Sequence, residues 1–143
     1  MGIKCQAFEL DIQSDDKELR NTLQLSTSNP DFSKIDLFIN NCGGCTPLRF
    51  DQLSMEQIEK MIDLNFKSTI RMTKICLDFL NKNGSKICFV TSMCTTFPTY
   101  GLGLYASTKS GLSTLADYLN IELEHKNIRV QCITPADMLT PGN

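Results

Sequence analysis

The chain has 143 residues, of which 41% are hydrophobic and 21% are charged, and its formal net charge is −2. This composition is typical of a soluble globular protein, and the length suits a single domain spanning residues 1–143. The basic residues are scattered, which argues against nucleic-acid binding. No apolar stretch approaches the ~18 residues that would indicate a membrane-spanning helix.

Seven cysteines are present, which is an odd number. The first residues, MGIKCQAFELD, lack the apolar segment of a secretory signal. We therefore expect reduced thiols in a reducing compartment and no disulfide framework. Cys76, Cys88 and Cys132 lie inside apolar runs, where a free cysteine behaves as a small hydrophobic residue.

The first half of the chain predicts two strands separated by a helix. Residues 5–12 (CQAFELDI) predict a strand, and SDDKELRNTLQL predicts a helix with Ser14 as its N-cap. After a loop broken at Pro30, residues 35–40 (IDLFIN) form a short apolar run. This pattern is typical of a strand buried on both faces of a parallel sheet.

A long helix is predicted from Ser54, where Gln57 completes a capping-box pattern, to Gly84. Its apolar stripe comprises Ile58, Met61, Ile62, Met72, Ile75, Phe79 and Leu80. Residues 85–92 (SKICFVTS) predict the next strand, residues 105–126 another helix, and residues 128–135 (IRVQCITP) a fourth strand.

The resulting order, β-α-β-α-β-α-β, predicts an α/β fold with a parallel sheet that helices cover on both faces. Ligands of such sheets bind beyond the carboxyl ends of the strands. The residues that follow Ile12, Ile39, Val90 and Ile133 are therefore the first candidates for a functional site.

A C-x-x-C pair, Cys42 and Cys45, follows the second predicted strand. Such a pair is found in redox dithiols, but Gly43, Gly44 and Pro47 argue against the helix that a thioredoxin-like pair should open. A zinc site would need two further ligands, and His125, the only histidine, lies on a distant predicted helix. We expect no metal site.

Tyr105 and Lys109 stand four residues apart on a predicted helix and so share one face. An ammonium group close to a phenol lowers the phenol pKa from about 10 and turns it into an acid–base catalyst near neutral pH. Ser92, at the end of the neighbouring strand, could hydrogen-bond the same substrate oxygen. Y-x-x-x-K alone is a weak signal, and a core or surface tyrosine is the plainer interpretation.

Asn65 lies on the apolar stripe of the long helix. A buried amide without partners costs about 1–3 kcal/mol, so burial would require specific hydrogen bonds. The alternative is a surface asparagine, with the helical periodicity misplaced by one step.

Taken together, Asn40-Asn41-Cys42-Gly43, Asn65, Ser92 and the Tyr105/Lys109 pair resemble the short-chain dehydrogenase/reductase family in residue type, order and spacing. The resemblance covers essentially the whole chain. It implies a Rossmann-like doubly wound parallel sheet. It also implies an NAD(P)-dependent oxidoreductase that interconverts a ketone and a secondary alcohol by hydride transfer.

The resemblance also implies roles for individual residues. Tyr105 would donate or accept the proton, Lys109 would tune it and hold the nicotinamide ribose, and Ser92 would orient the carbonyl. Asn65 would position a water that relays protons. The implied cofactor-binding residues are Asp11 (adenine), Asn40, Asn41, Gly43, Tyr105, Lys109, Pro135 (with Ala136, where the family has P-G) and Thr140 (nicotinamide carboxamide or phosphates).

The Gly-rich family pattern T-G-x-x-x-G-x-G does not occur in the sequence. We therefore expect an N-terminally truncated chain that lacks the first βαβ unit, on the order of 50–60 residues, and that binds the cofactor poorly or not at all. Without that unit, residues 5–12 would either pair directly with IDLFIN or leave an apolar strand edge to be covered by something else.

The segment TPADMLTPG, the thirteen-residue gap from Ser92 to Tyr105 and NCGG resemble the 3-ketodihydrosphingosine reductases within that family. That resemblance implies NADP(H) rather than NAD(H), a small apolar carbonyl substrate, and a location at the cytosolic face of the endoplasmic reticulum. The residues that select the cofactor would follow a strand that is not in the sequence. The family resemblance also implies a homo-oligomer formed through helices 54–82 and 105–126.

Three alternatives stay open at this point. The first is a reductase of another apolar carbonyl, such as a steroid, a retinoid or an acyl group. The second is a catalytically incompetent fragment or interaction module, which the missing Gly-rich turn favours. The third is a redox dithiol protein, which rests on Cys42 and Cys45 alone.

Overall fold

The structure is a computed structural model that describes residues 5–136. Its helices and strands, in chain order, are α1 (Asp16–Ser26), β1 (Leu37–Asn40), α2 (Met55–Ile62), α3 (Ser68–Cys76), β2 (Ser85–Val90), α4 (Gly103–Glu122) and β3 (Ile128–Ile133). A five-residue π turn (Asp63–Lys67) joins α2 to α3.

Within the described residues, the strands form one parallel sheet in the order β1-β2-β3. Phe38 on β1 lies opposite Ile87 on β2, which lies opposite Val130 on β3. Parallel neighbours need a crossover connection, which α2–α3 and α4 provide. The structure therefore confirms the last three predicted strands and the partial Rossmann-like α/β fold.

The core lies on one face of this sheet, where α3 and α4 pack. Its largest cluster of buried residues is Cys76, Leu80, Ile87, Phe89, Leu112, Ala116, Leu123, Ile128 and Val130. On the opposite face, Leu37 and Ile39 are each 51% exposed and Ile133 is 49% exposed. The prediction that helices cover both faces is thus not met within residues 5–136.

Residues 5–12 do not form the predicted strand, and in the structure this segment is irregular. Leu10 and Ile12 instead pack against a small cluster of Leu19, Met72 and Ile75, between α1 and α3. A strand needs a neighbour to satisfy its backbone groups, and within the described part of the chain β1 pairs with β2 alone.

Two helix starts show how local side chains set the boundaries. Asp15, not Ser14 as predicted, caps α1 by accepting a hydrogen bond from the Glu18 N–H at 2.9 Å. The predicted capping box of α2 is confirmed. Ser54 Oγ accepts from the Gln57 N–H at 3.2 Å, and Gln57 Oε1 accepts from the Ser54 N–H at 2.9 Å.

The long helix ends at Cys76, well before the predicted stop at Gly84. Beyond it, the Ile35 N–H donates to the Phe79 carbonyl at 3.1 Å and the Asn81 N–H to the Ile35 carbonyl at 2.9 Å. These bonds hold residues 79–81 against the start of β1 and prevent helical continuation. In residues 5–136, no helix combines the length and the apolar character needed to cross a membrane.

Candidate active site

The candidate site lies beyond the carboxyl ends of β1 and β2, where ligands of parallel sheets bind. Two loops, residues 41–54 and 91–102, and the first turns of α4 surround it. The Leu48 N–H donates to the Gly101 carbonyl at 3.1 Å, which ties the two loops together.

Lys109 is buried, with 3% of its surface exposed, and anchors the site to the sheet. Its Nζ donates to the carbonyl of Val90, the last residue of β2, at 2.9 Å. The same Nζ lies 5.7 Å from the centroid of the Tyr105 ring. Burial lowers the pKa of Lys109, and the nearby Cys94 and Cys42 thiols partly oppose that shift.

Tyr105, one helical turn before Lys109, is half-buried. Burial raises its pKa above the ordinary value, with smaller contributions from Cys94 and Cys45, and a hydrogen bond with Ser92 lowers it. The expectation that Lys109 leaves Tyr105 with a lowered pKa is therefore wrong for this chain, because desolvation of the phenolate outweighs the other effects. The phenol stays protonated at neutral pH.

Ser92 caps a short 3₁₀ turn (Met93–Thr95) directly after β2. Its Oγ accepts a hydrogen bond from the Cys94 thiol at 3.1 Å, and its interaction with Tyr105 lowers the pKa of that phenol. The Met93 N–H donates to the Pro135 carbonyl at 3.2 Å, so Pro135 lies beside this turn. Ser92, Tyr105 and Lys109 thus come together as their spacing suggested.

Asn65 lies in the π turn and is completely buried. Its Oδ1 accepts from the Gly44 N–H at 2.9 Å, and its Nδ2 donates to the Gly44 carbonyl at 2.8 Å. The alternative of a surface asparagine is therefore wrong. The extra residue of the π turn shifts the helix face for the residues that follow it. Ile62, which was predicted on the apolar stripe, is 39% exposed.

Gly43 lies where Asn65 and Lys109 meet. A Cβ atom on this residue would stand 2.6 Å from Asn65 Oδ1 and 3.1 Å from Lys109 Nζ. Real Cβ atoms do not approach a heavy atom to 2.6 Å, so a larger residue here would displace one of these side chains. Gly43 does not have a positive φ angle. The glycine is therefore required by the close approach of these side chains and not by its backbone conformation.

The remaining predicted site residues differ in position. Asn40 is half-buried and donates to Thr73 Oγ1 at 3.0 Å, and Asn41 is exposed on the loop after β1. Asp11 lies in a turn, where its carboxylate accepts from the Gln13 N–H at 2.8 Å. The predicted strand that Asp11 would end is absent at residues 5–12. Thr140 lies outside the described residues.

Sequence reasoning missed Thr69 and Thr73, which are both buried. The signal was available, because they follow Asn65 at four-residue intervals and therefore share its helix face. A second omission is Cys94, whose thiol contacts Ser92.

A cavity of about 490 Å³ lies between the loop after β1 and helices α2 and the π turn. Its wall includes Gly44, Cys45, Lys60 and Leu64. Gly44, which binds Asn65, connects this cavity to the candidate site.

Cys42 and Cys45 are exposed free thiols in this loop. Partial burial of the Cys45 side chain, and to a smaller extent the nearby Cys94, raise the pKa of Cys45. A raised pKa reduces the fraction of nucleophilic thiolate. Within residues 5–136, no three His, Cys, Asp or Glu side chains are grouped to hold a metal ion. The pair lies in a loop and does not open a helix, unlike a thioredoxin-type dithiol.

The residues suit one end of a nicotinamide cofactor. An ammonium has three N–H donors, of which Lys109 uses one on Val90, and the others can bind ribose hydroxyls. Gly43, which has no Cβ, lets Asn65 and Lys109 approach the loop backbone beside this end of the site. The Gly-rich turn that would receive the pyrophosphate is not in the sequence.

Comparison with known proteins agrees with this geometry. The profile described as "short chain dehydrogenase" matches residues 2–143. The chain is 30% identical over 141 residues to the 7alpha-hydroxysteroid dehydrogenase of Escherichia coli K12, covering 98% of this chain and 54% of that protein. It is 30% identical over 142 residues to the 3-ketodihydrosphingosine reductase of Dictyostelium discoideum, covering 97% and 42%.

The chain thus spans about half the length of these relatives. Among solved structures, a short-chain dehydrogenase/reductase of Brucella melitensis superposes with a TM-score of 0.84 at 23% identity. That superposition covers 94% of this chain and 53% of the other, and it shows a shared fold.

Proposed function

Because the chain belongs to the short-chain dehydrogenase family, we propose that residues 1–143 act as one domain that carries the acid–base centre of an NAD(P)-dependent oxidoreductase. The reaction would interconvert a ketone and a secondary alcohol. The observation that supports this proposal best is that the Nζ of the buried Lys109 lies 5.7 Å from the centroid of the Tyr105 ring, while Ser92 is close enough to Tyr105 to lower its pKa. One proton donor and one hydrogen-bond donor can then reach the same substrate oxygen.

In the reducing direction, Tyr105 would give its phenolic proton to the substrate oxygen. Its raised pKa suits this role, because the proton is retained at neutral pH until the oxygen becomes basic. The Ser92 hydroxyl would donate a hydrogen bond to the same oxygen as negative charge develops. When bound, the nicotinamide supplies the hydride for the carbonyl carbon.

Lys109 and Asn65 would act around this pair. The ammonium of Lys109 would stabilise charge on Tyr105 after proton transfer and would bind ribose hydroxyls. We retain a role for Asn65 in positioning a relay water. Because its side-chain amide is already bound to Gly44, Asn65 would position the water indirectly, through the loop residue that it holds in place.

The proposed cofactor contacts keep the residues given by the family resemblance: Asn40, Asn41, Gly43, Tyr105, Lys109 and Pro135, with Asp11 toward the adenine and Thr140 toward the nicotinamide. As the cofactor we propose NADP(H) rather than NAD(H), on the resemblance of TPADMLTPG and NCGG to the 3-ketodihydrosphingosine reductases.

For the substrate, we propose a small apolar ketone, most specifically a 3-ketosphinganine of sphingolipid synthesis. Phe97 and Tyr100, 62% and 81% exposed on the loop after β2, offer apolar surface near Ser92. With this substrate we also propose a location at the cytosolic face of the endoplasmic reticulum. The similarity to a hydroxysteroid dehydrogenase supports a steroid as the alternative substrate.

A second candidate function is a catalytically incompetent interaction module. Within residues 5–136, the sheet exposes Leu37, Ile39 and Ile133. Exposed apolar surface of this kind marks contact sites. Oligomers would form through the two long helices, where α4 exposes Tyr118 and Ile121.

A chimera tests the proposal directly. The Gly-rich βαβ unit of the Dictyostelium reductase would be joined to this chain, and binding and turnover of NADPH with 3-ketodihydrosphingosine would be measured. We expect the chain alone to bind NADPH poorly, and the chimera to bind it and reduce the ketone. The Tyr105→Phe chimera should bind NADPH but lose turnover. A chimera that binds NADPH without reducing any apolar ketone would favour the incompetent module.

A further inference from the structure

Asn65, Thr69 and Thr73 form a buried polar line on one face of the helix that contains the π turn. They are 0%, 3% and 4% exposed. Thr73 Oγ1 donates to the Thr69 carbonyl at 2.7 Å, and Thr69 Oγ1 donates to the Asn65 carbonyl at 3.0 Å. Asn40, at the end of β1, donates to Thr73 Oγ1 at 3.0 Å.

The bonds donated by Asn40, Thr73 and Thr69 run in one direction along this helix face, whereas Asn65 Oδ1 accepts from the Gly44 N–H. A threonine hydroxyl has a single proton, and Thr73 gives it to Thr69, so toward Asn40 it acts as an acceptor. At the other end, Asn65 Nδ2 donates to the Gly44 carbonyl.

We propose that Thr69 and Thr73 are positioning residues that couple Asn40, at the end of β1, to Asn65 and Gly44 in the candidate site. Threonine hydroxyls that bind the carbonyl one turn back also bend helices, and here two do so in succession directly after the π turn. They therefore fix the place where the helix resumes and, with it, the carbonyl of Asn65.

The coupling is tested by NMR on the cofactor-free 143-residue chain, so it does not depend on turnover. Thr73→Val keeps the side-chain shape and removes the hydroxyl, whereas Thr73→Ser keeps the hydroxyl. We expect Thr73→Val to shift the side-chain amide signals of both Asn40 and Asn65, and Thr73→Ser to leave both near their original positions.

Thr27→Val is the matched control. Thr27, the C-cap residue of α1, donates through Oγ1 to the Leu23 carbonyl, also one turn back, at 2.9 Å. Its loss should leave the Asn65 signals unchanged. The proposal is overturned if Thr73→Val moves Asn40 alone, or if Thr27→Val moves Asn65 as far. Should Thr73→Val unfold the chain, Asn40→Ala provides the same comparison from the half-buried end.

The catalytic consequence rests on the proposed function. In the chimera, Thr69→Val should lower kcat by ~10-fold, about the effect of one lost hydrogen bond, with little change in KM for the ketone, and Thr69→Ser should restore it. An inactive chimera with coupled amide signals would refute the proposed function and leave the coupling standing. Turnover unchanged by Thr69→Val, with uncoupled signals, would refute the coupling alone.

Discussion

The side-chain amide of Asn65 replaces a strand neighbour for Gly44, because it binds both the N–H and the carbonyl of that residue, at 2.9 and 2.8 Å. A loop in an α/β protein is thereby held as a partner strand would hold it.

Asn65→Ala should destabilise the chain by about 1–3 kcal/mol, because it leaves two backbone groups of Gly44 without their partners. The free energy of unfolding is measured in urea. Asn21→Ala, at an exposed position of α1, is the control and should change stability by less than about 0.5 kcal/mol. Equal effects of the two substitutions would contradict the structural role of Asn65.

Gly43→Ala should destabilise the chain by about 1–3 kcal/mol, since the new Cβ would overlap Asn65 Oδ1. Gly103→Ala is the matched control, because a Cβ at Gly103 has no heavy atom within 4 Å. Being at the start of α4, that control should be neutral or slightly stabilising. Tolerance of alanine at residue 43 would show that the loop adapts freely.

The ionisation of Tyr105 should occur above the ordinary pH for a phenol, because burial raises its pKa. It is measured as the difference in phenolate absorbance at 295 nm between the chain and Tyr105→Phe. Ser92→Ala removes the hydrogen bond that lowers this pKa, so the transition should move further upward. A transition below pH 10 would instead show that Lys109 dominates.

Proton transfer should follow the same sign in the active chimera. Ketone reduction needs the protonated phenol, so its rate should stay level through neutral pH and fall only as Tyr105 ionises. Alcohol oxidation needs the phenolate and should rise over the same alkaline range. Rates in both directions that peak near pH 7 would be inconsistent with a raised pKa of Tyr105.

The thiols should label in two groups with iodoacetamide. Cys5, Cys42 and Cys45 are exposed and should react in the native chain. Cys76, buried and with a pKa raised to about 12, should react only after unfolding. Cys45 should react faster as the pH rises, because its pKa is also raised. Rapid labelling of Cys45 at pH 7, or a disulfide with Cys42, would instead favour a redox dithiol.

The exposed sheet face should promote self-association of the isolated chain. Leu37→Lys combined with Ile39→Lys should reduce the binding of a dye that reports exposed apolar surface, and should shift the sedimentation coefficient toward that of the monomer. Both side chains are half-exposed at a strand edge. Tyr118→Lys with Ile121→Lys on α4 is the comparison. A monomer produced only by the α4 pair would assign association to the helices.

Much of the fold followed from the sequence because the signals were local. The apolar runs of β1, β2 and β3 and the Ser54 capping box depend on neighbouring residues, and these predictions are confirmed. The strand predicted at residues 5–12 is wrong because a strand needs a partner to pair with. An alternating pattern gives no information about whether a partner strand is present.

The site was accessible from sequence to the extent that it depends on spacing. Tyr105 and Lys109 share a face because a helix has a fixed period. The π turn breaks that period, so the sequence allowed both a buried and a surface position for Asn65, and its contacts with Gly44 show the buried one. The pKa of Tyr105 could not be predicted, because burial depends on the packing of distant segments and outweighed the expected influence of Lys109.

Lys109 also joins α4 to the last carbonyl of β2 at 2.9 Å. A shift of the helix by one residue would break this bond, so the lysine fixes the alignment of α4 on the sheet. A chain that had lost catalytic activity would still need Lys109, because a substitution at this position would disturb the fold. We expect homologues without catalytic activity to keep Lys109, because a lysine at this position serves the fold as well as the reaction.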